Sequence, residues 1–343
     1  MSETSSAIAL LGGPESGKTT YMGALIRSLR STQKPSHLEL KTLPEDATGY
    51  QRLSQPLTKL DYPQRTKAER HKLEMPMQVN RGATIENVSL LMGDYDGEEV
   101  ERLFRDRNQG YSEEWKARAY AQGILLFLRP DAFTPLPRLQ MPAELSDRER
   151  LSALKSSERP KGRSRAPKKS LSDPETAFGL GIQDAERKPR MAAPGDEVQV
   201  PTILAVVELL QFLRHERDLS PGERPRPGTV RIALLASAWD AVDIKWQRKG
   251  PREFFAEQAP LLEQFLHSNY QSEDIMYFGL SSTGGNLKDP EYKKTYRRNP
   301  YGYIEWSDVT HRILYSSSLA LPVEWALFGD EAFARTDAEI RHS

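Results

Sequence analysis

A glycine-rich stretch near the start of the chain has the residue types and spacing of a phosphate-binding loop. Residues 12–19 read GGPESGKT and match the pattern Gly-x4-Gly-Lys-Ser/Thr. Such glycines let backbone N–H groups wrap a phosphate, and the N-terminus of a following helix favours the same anion. Lys18 would reach the terminal phosphate oxygens, and the Thr19 hydroxyl would bind Mg²⁺. Apart from its phosphate contacts, the Lys18 side chain is expected to be solvated. The predicted nucleotide-binding residues here are Gly12, Gly13, Glu15, Ser16, Gly17, Lys18, Thr19 and Thr20.

A second candidate follows a later apolar run, where residues 90–99 read LLMGDYDGEE. A carboxylate at Asp94 is placed to hold Mg²⁺ at the end of a buried strand. Gly97, three residues on, could offer its N–H group to a terminal phosphate and so report whether that phosphate is present. The structural alternative is a turn that only ends a core strand, because Asp and Gly are common turn residues.

Two further loops could contact a nucleotide base. Residues 234–240 read LLASAWD, and they place Asp240 at the carboxyl end of a buried strand, where open α/β sheets bind ligands. Its carboxylate could accept the N1–H and 2-amino protons of guanine, which adenine cannot supply. Residues 279–285 read GLSSTGG, in which Ser281 and Ser282 could lie against a base edge. The two loops are better supported together than singly, because they follow the phosphate loop and Asp94 in the order and spacing expected of a nucleotide-binding site.

Predicted strands and helices alternate along the segments before and after these loops. Such alternation predicts an α/β fold with a mostly parallel sheet and helices on both faces. The predicted strands are 6–11, 123–128, 229–236 and 274–280. The predicted helices are 18–30, 112–121, 201–217, 251–267 and one near 307–318.

A hairpin is predicted between the phosphate loop and Asp94. Runs 72–79 and 85–93 have strand composition, and Asn80-Arg81-Gly82 between them is typical of a turn. Pro76 favours a sheet edge for the first strand, because proline cannot donate to an interior ladder. The preceding residues, 32–70, are polar and interrupted by prolines, which predicts irregular structure.

One segment departs from the α/β pattern. Residues 137–200 are rich in Pro, Ser, Arg, Lys and Glu without a sustained apolar period, which predicts a largely disordered insertion. A single domain is therefore expected over 1–136 and 201–343. A basic run at 155–169 could contact a polyanion, but it lacks interleaved aromatic residues and favours a solvated linker.

Composition excludes several classes of function. The 343 residues include no Cys, which excludes disulfides and thiol catalysis, and the six His are scattered without metal-ligand spacing. Lys+Arg 48 balance Asp+Glu 48, which argues against binding nucleic acid through overall charge. The longest apolar runs are short of the roughly 20 residues needed to span a membrane, and no signal peptide is evident. We expect a cytoplasmic protein that does not bind membranes.

The motifs together resemble the translation-factor-and-Ras-like class of P-loop GTPases. Within that class the chain is most similar to the bacterial double-GTPase families of multi-component conflict systems. The resemblance covers most of the chain except the insertion, and its specific motifs are the phosphate loop and Asp-x-x-Gly. The stretches that carry it are GGPESGKTTYMGAL (12–25), DYPQRT (61–66), GDYDGEE (93–99) and LPVEWAL (321–327).

The resemblance implies a Ras-like fold with one antiparallel edge strand, and it implies roles for individual residues. Lys18 and Glu98 would be catalytic, Glu98 standing where many small GTPases have a water-orienting Gln. The Mg²⁺ ligands would be Thr19, Asp94 and a threonine before the edge strand. Thr66 is preferred because it follows a proline-containing loop; the other candidates are Thr42, Thr48 and Thr58.

The guanine motif of the class is Asn/Thr-Lys-x-Asp, and this chain departs from it. Ser237 and Ala238 replace the first two residues, so the lysine that stacks beside the base is absent and Asp240 alone is retained.

The resemblance implies a molecular switch that binds GTP and GDP with Mg²⁺ and hydrolyses GTP slowly. Nucleotide state would gate the docking of partner proteins, in a bacterial conflict or antiviral defence system. The alternatives left open are a pseudo-GTPase scaffold that binds nucleotide without turnover, and an ATPase or phosphotransferase.

Overall fold

The computed structural model of the chain describes residues 6–13, 15–30, 38–40, 48–63, 72–81, 84–93, 115, 118–132, 202–218, 230–335 and 339–340. The described residues fall in one compact unit drawn from both sides of the predicted insertion. The predicted disorder of 137–200 lies outside them and stays a prediction.

The described strands pair into one ten-stranded sheet in the order β10-β9-β8-β7-β6-β5-β1-β4-β3-β2. Their bounds are β1 Ser6–Gly12, β2 Leu38–Leu40, β3 Lys72–Arg81, β4 Thr84–Gly93, β5 Gly123–Leu128, β6 Arg231–Ser237, β7 Ile275–Ser281, β8 Tyr303–Ser307, β9 Ile313–Ser316 and β10 Glu339–Ile340. The mixed α/β class predicted from the sequence is confirmed.

Strand directions divide the sheet into a parallel centre and antiparallel flanks. β1 runs parallel to β4 and β5, and the parallel order continues through β6 and β7. β3 and β2 extend one side antiparallel, and β8, β9 and β10 extend the other. Five of the nine pairings between the described strands are antiparallel. The predictions of a mostly parallel sheet and of one antiparallel edge strand are therefore wrong, because short strands at both edges were not recognisable from their sequences.

Helices cover both faces of the sheet. Their bounds are α1 Lys18–Arg30, α2 Thr48–Thr58, α3 Thr202–Asp218, α4 Ile244–Lys249, α5 Pro251–Gln258, α6 Pro260–Asn269, α7 Pro290–Arg298 and α8 Leu321–Phe328. α1, α2, α7 and α8 contribute to one hydrophobic cluster, and α3, α5 and α6 to a second. No helix within the described residues is long and apolar enough to cross a membrane.

The hairpin β3–β4 is confirmed, with Lys72 opposite Gly93 and Arg81 opposite Thr84. Pro76 does not lie on an edge strand as predicted, because β2 pairs outside β3. The β2 ladder begins one residue later, at Met77, so Pro76 is not required to donate to it.

The predicted irregularity of 32–70 is wrong where α2 and β2 form. α2 contains Pro56, yet it buries Leu53 and Leu57. A Cβ atom at Gly23 of α1 would lie 2.3 Å from the Leu53 carbonyl oxygen, so only glycine permits this close helix packing. Tertiary packing thus outweighs the local cost of proline.

Two predicted helices are also corrected. The single helix over 251–267 is divided into α5 and α6 at Pro260, which begins α6. The helix near 307–318 is instead the hairpin β8–β9. The Asp308 side chain accepts hydrogen bonds from the backbone N–H groups of Thr310 and Arg312, which closes a turn between the two strands.

Deleting residues 140–197 is expected to leave the domain folded and its unfolding cooperative. The predicted disorder of the insertion implies that it contributes little to stability, and each halving of loop length changes the free energy of loop closure by only about 0.6 kcal/mol. Thermal unfolding of the shortened and full chains measures this. Loss of the cooperative transition would show that the insertion packs on the core.

Candidate functional site

Four adjacent strands end at the same edge of the sheet, and the predicted loops follow three of them. β1 leads into the phosphate loop, β6 into the loop containing Asp240, and β7 into the Ser281–Ser282 loop. β5 lies between β1 and β6 and ends at the same edge. Parallel pairing therefore brings together segments that lie far apart in the sequence.

The backbone of the phosphate loop has alternating conformations suited to an anion. Glu15 and Gly17 have φ values of 52° and 89°, on either side of Ser16. Alternation of this kind makes a concave nest of N–H groups. A Cβ atom at Gly12 would lie 2.4 Å from the Phe127 carbonyl oxygen, whereas one at Gly13 would meet nothing within 4 Å. The loop is thus packed beneath Gly12 and open at Gly13.

Lys18 lies inside this loop. Its ammonium donates to the carbonyl oxygens of Gly12 and Gly13 at 2.8 and 3.0 Å and to Ser16 Oγ at 3.0 Å. Lys18 is 8% exposed, so the expectation of a solvated lysine is wrong. Burial lowers the pKa of Lys18 to about 7, because the charged form loses its hydration. A bound phosphate would supply the negative charge that favours the protonated form.

Thr19 and Thr20 lie in the first turn of α1, and both are partly exposed. The Thr19 hydroxyl is a hard oxygen ligand of the kind Mg²⁺ prefers, which fits the predicted role. Among the described residues no group of three or more His, Cys, Asp or Glu could hold a metal ion. The other predicted metal ligands, Thr66 and Asp94, lie outside the described residues, as do the predicted phosphate-sensing Gly97 and the predicted catalytic Glu98.

Asp240 lies in a short 3-10 turn, Trp239–Ala241, directly after β6. Ala238 before it has φ 51° and ψ 41°, a left-handed conformation that turns the chain away from the strand. The Asp240 carboxylate, half-buried, accepts a hydrogen bond from the Ser281 hydroxyl. The structure thus joins the two predicted base-contacting loops through Asp240 and Ser281.

Ser237 connects the base loops to the phosphate loop. A Cβ atom at Gly17 would lie 3.3 Å from Ser237 Cβ, so the Gly17 backbone packs closely against the Ser237 side chain. The Ser237 hydroxyl also donates to the Leu128 carbonyl oxygen of β5, at 3.5 Å. The residue that replaces Asn/Thr in the guanine motif therefore lies between β5 and the phosphate loop.

The loop after β7 is held by two tyrosines. Tyr292 of α7 donates to the Thr283 carbonyl oxygen at 2.7 Å, and burial together with the Asp240 charge raises its pKa to about 12. Tyr62 accepts from the Leu287 backbone N–H at 2.9 Å and donates to Asn286 Oδ1 at 3.4 Å. Ser282, predicted to contact the base, is partly exposed in this loop.

Sequence reasoning missed Arg129 and Tyr62 as members of this edge. Arg129 is the first polar residue after β5 and forms a two-point ion pair with Asp131 at 2.7 and 2.8 Å. That pair, with smaller effects from Glu15 and Tyr62, raises the pKa of Arg129. A charged residue at the end of an apolar strand was the available signal for Arg129. For Tyr62 the signal was its position in the DYPQRT stretch.

The arrangement offers two kinds of recognition along one edge of the sheet. The glycine nest and Lys18 are suited to phosphate oxygens, because they combine N–H donors with a cation. Asp240 and the small-residue loop beside it offer acceptors to the donor edge of a purine.

Comparison with known proteins agrees with this geometry. No curated protein matches the chain. A family model described as Double-GTPase 1 matches residues 9–326, which include the phosphate loop, Asp240 and the loop after β7. The predicted resemblance to a double-GTPase family is confirmed, and membership of a GTPase family implies binding of GTP and GDP. The chain belongs to the Double-GTPase 1 family.

Proposed function

We propose that this protein is a guanine-nucleotide switch that hydrolyses GTP slowly and gates the docking of partner proteins. The observation that carries the proposal is the pairing of two sites along one edge of the sheet. Lys18 lies within the phosphate loop that follows β1. Asp240, which accepts a hydrogen bond from Ser281, follows β6, the strand two positions from β1 in the sheet.

Guanine specificity rests on the acceptor character of Asp240. A carboxylate offers about four acceptor positions on two oxygens, so the bond from Ser281 leaves capacity for N1–H and the 2-amino group. Adenine would present no matching donors there and would leave the remaining acceptor positions of a partly buried carboxylate without partners. This supports a GTPase over the ATPase alternative.

Mg²⁺ fits the proposal through Thr19 and, by resemblance, through Thr66 and Asp94. When bound, the ion would neutralise charge on the terminal phosphates. Within the chain, Lys18 would orient those phosphates, and Glu98 would orient the attacking water. The Ras-like assignment of the fold is part of this proposal and is supported by the parallel centre of the sheet.

Switching requires loops whose order depends on the terminal phosphate. Tyr62 accepts a hydrogen bond from Leu287 in the loop after β7, and it lies just before residues 64–70, the stretch that contains Thr66. We expect the residues after Tyr62 to be fixed by Thr66 when GTP is bound and released with GDP. A partner protein would then bind the surface formed by Val100, Leu103 and Phe104, which follow Gly97. Resemblance to the conflict-system families favours partners from such a system.

Hydrogen exchange with GDP and with a non-hydrolysable GTP analogue is expected to differ in two segments. Residues 58–70 and 94–110 should be better protected in the GTP-like state, because only that state offers the terminal phosphate. Residues 123–128 of β5 form an internal control, since all six are buried and β5 pairs with a strand on either side. Identical protection of both segments in the two states would remove the switch and leave the nucleotide as a structural cofactor.

A further inference from the structure

Trp239 is buried beside Asp240 and makes a hydrogen bond that base recognition does not by itself require. Its Nε1–H group donates to Glu305 Oε2 of β8 at 2.6 Å. Trp239 is 0% exposed and Glu305 is 2% exposed. A carboxylate is rarely buried to this extent without hydrogen-bonding partners, so this bond contributes to keeping Glu305 inside.

The geometry of the sheet explains why Glu305 reaches Trp239. Side chains alternate along a strand, and Ile304 and Trp306 pack in the cluster on the opposite face from Trp239. Glu305 is therefore directed to the face that holds Trp239. It pairs with Gly279 of β7, where an added Cβ atom would lie 2.6 Å from the Trp239 ring. The indole thus rests on the β7 backbone, in space that only glycine leaves open.

The backbone around Asp240 is anchored as well. Gln247 of α4 is buried and donates through Nε2 to the Trp239 carbonyl oxygen at 3.0 Å. A second bond from the same atom reaches the Val242 carbonyl oxygen at 2.8 Å. The turn that carries Asp240 is therefore fixed by the buried Trp239 indole and by the two hydrogen bonds that Gln247 donates to backbone carbonyl oxygens before and after Asp240.

We infer that the Trp239–Glu305 hydrogen bond determines base specificity by positioning Asp240. This inference rests on the proposed function, in which the Asp240 carboxylate contacts guanine. Asp240 follows Trp239 directly, so a shift of the indole moves the carboxylate that must lie within about 3.2 Å of the 2-amino group. Trp239 and Glu305 are positioning residues and do not touch the base themselves.

The test compares affinity for GTP with affinity for ITP, whose base keeps N1–H but lacks the 2-amino group. The wild-type chain is expected to prefer GTP by about tenfold, the value of one good hydrogen bond to a charged group. Trp239→Phe keeps a ring on Gly279 but removes the N–H donor, and should lower that preference at least about threefold. Glu305→Leu should do the same, whereas Glu305→Gln keeps an acceptor oxygen and should retain the preference within about twofold.

Trp325→Phe is the matched control. Trp325 is 1% exposed in the cluster on the opposite face, and its Nε1–H group donates to Asp330 Oδ1 at 3.3 Å. Its loss should leave the GTP-to-ITP preference unchanged. A general loosening of the fold would weaken the binding of GTP and of ITP by the same factor, so the ratio of the two affinities would not change.

The outcomes separate the inference from the proposed function. Full preference for GTP in both Trp239→Phe and Glu305→Leu would overturn the inference alone. If Trp239→Phe does not fold, the comparison of Glu305→Leu with Glu305→Gln decides. A wild-type chain that binds GTP and ITP equally would instead contradict the guanine contact at Asp240.

Discussion

Lys18→Ala is expected to weaken GTP binding by at least about a hundredfold, or roughly 2.8 kcal/mol. The ammonium is the one cation within the phosphate loop among the described residues, and each hydrogen bond to a charged group contributes about 1.5–3 kcal/mol. Lys18→Met, which keeps most of the aliphatic stem, should lose as much, because the charge rather than the packing is responsible. Calorimetric titration with GTP and Mg²⁺ measures the loss.

The variants should still fold without nucleotide. Removing Lys18 frees the Gly12 and Gly13 carbonyl oxygens, but it also removes a buried charge whose pKa is already lowered by desolvation. These effects oppose each other, so the unfolding midpoint in the absence of nucleotide should change little. Lys294→Ala, which removes a surface pair with Glu291, is the control and should bind GTP normally. Unchanged GTP affinity in Lys18→Ala would contradict the phosphate-loop assignment.

The second large effect concerns the base. The wild-type chain is expected to bind GTP over ATP by at least about tenfold, roughly 1.4 kcal/mol, and Asp240→Ala should abolish that preference. The loss would arise because, in the proposed function, the Asp240 carboxylate accepts the guanine donors, and Ser281 donates a hydrogen bond to this carboxylate. Competition of ATP against labelled GTP gives the ratio directly.

An exchange of donor and acceptor sharpens this test. Asp240→Asn places an amide donor in the site, and xanthine carries a carbonyl oxygen where guanine has its 2-amino group. Asp240→Asn should therefore gain affinity for XTP while losing affinity for GTP. Asp243→Ala is the matched control, because the Asp243 side chain caps α4 by accepting from the Lys245 backbone N–H at 2.9 Å and otherwise forms an exposed ion pair with the Lys245 ammonium at 3.9 Å. Equal binding of ATP and GTP by the wild-type chain would favour the ATPase alternative.

The local sequence determined the elements whose patterns are strong. The apolar run 123–128 coincides with β5, and the helix predicted over 18–30 coincides with α1. The phosphate loop was recognisable because its glycines and Lys18 lie within eight consecutive residues. In each case neighbouring residues carry the signal, through burial of a continuous run or through backbone freedom.

Patterns failed where a distant contact decides the structure. α2 forms despite Pro56 because Gly23 lets it pack against α1, and no local window contains both residues. The hairpin β8–β9 forms because β7 offers an edge for it to extend, which outweighs the helical spacing of its apolar residues. Short strands of this kind carry little signal of their own, since their stability comes from the strand beside them.

The candidate site divides in the same way. From the residue types alone, Lys18 was predicted to contact phosphate, and Asp240 and Ser281 were predicted to contact the base. The order of the predicted strands suggested that these residues lie at one edge of the sheet. The hydrogen bonds from Ser281 to Asp240 and from Trp239 to Glu305, in contrast, become apparent only in the folded sheet. The chemical character of a site can be recognised from residue types and short spacings. The burial and position of its side chains depend on which strands become neighbours, and packing over the whole sheet determines that order.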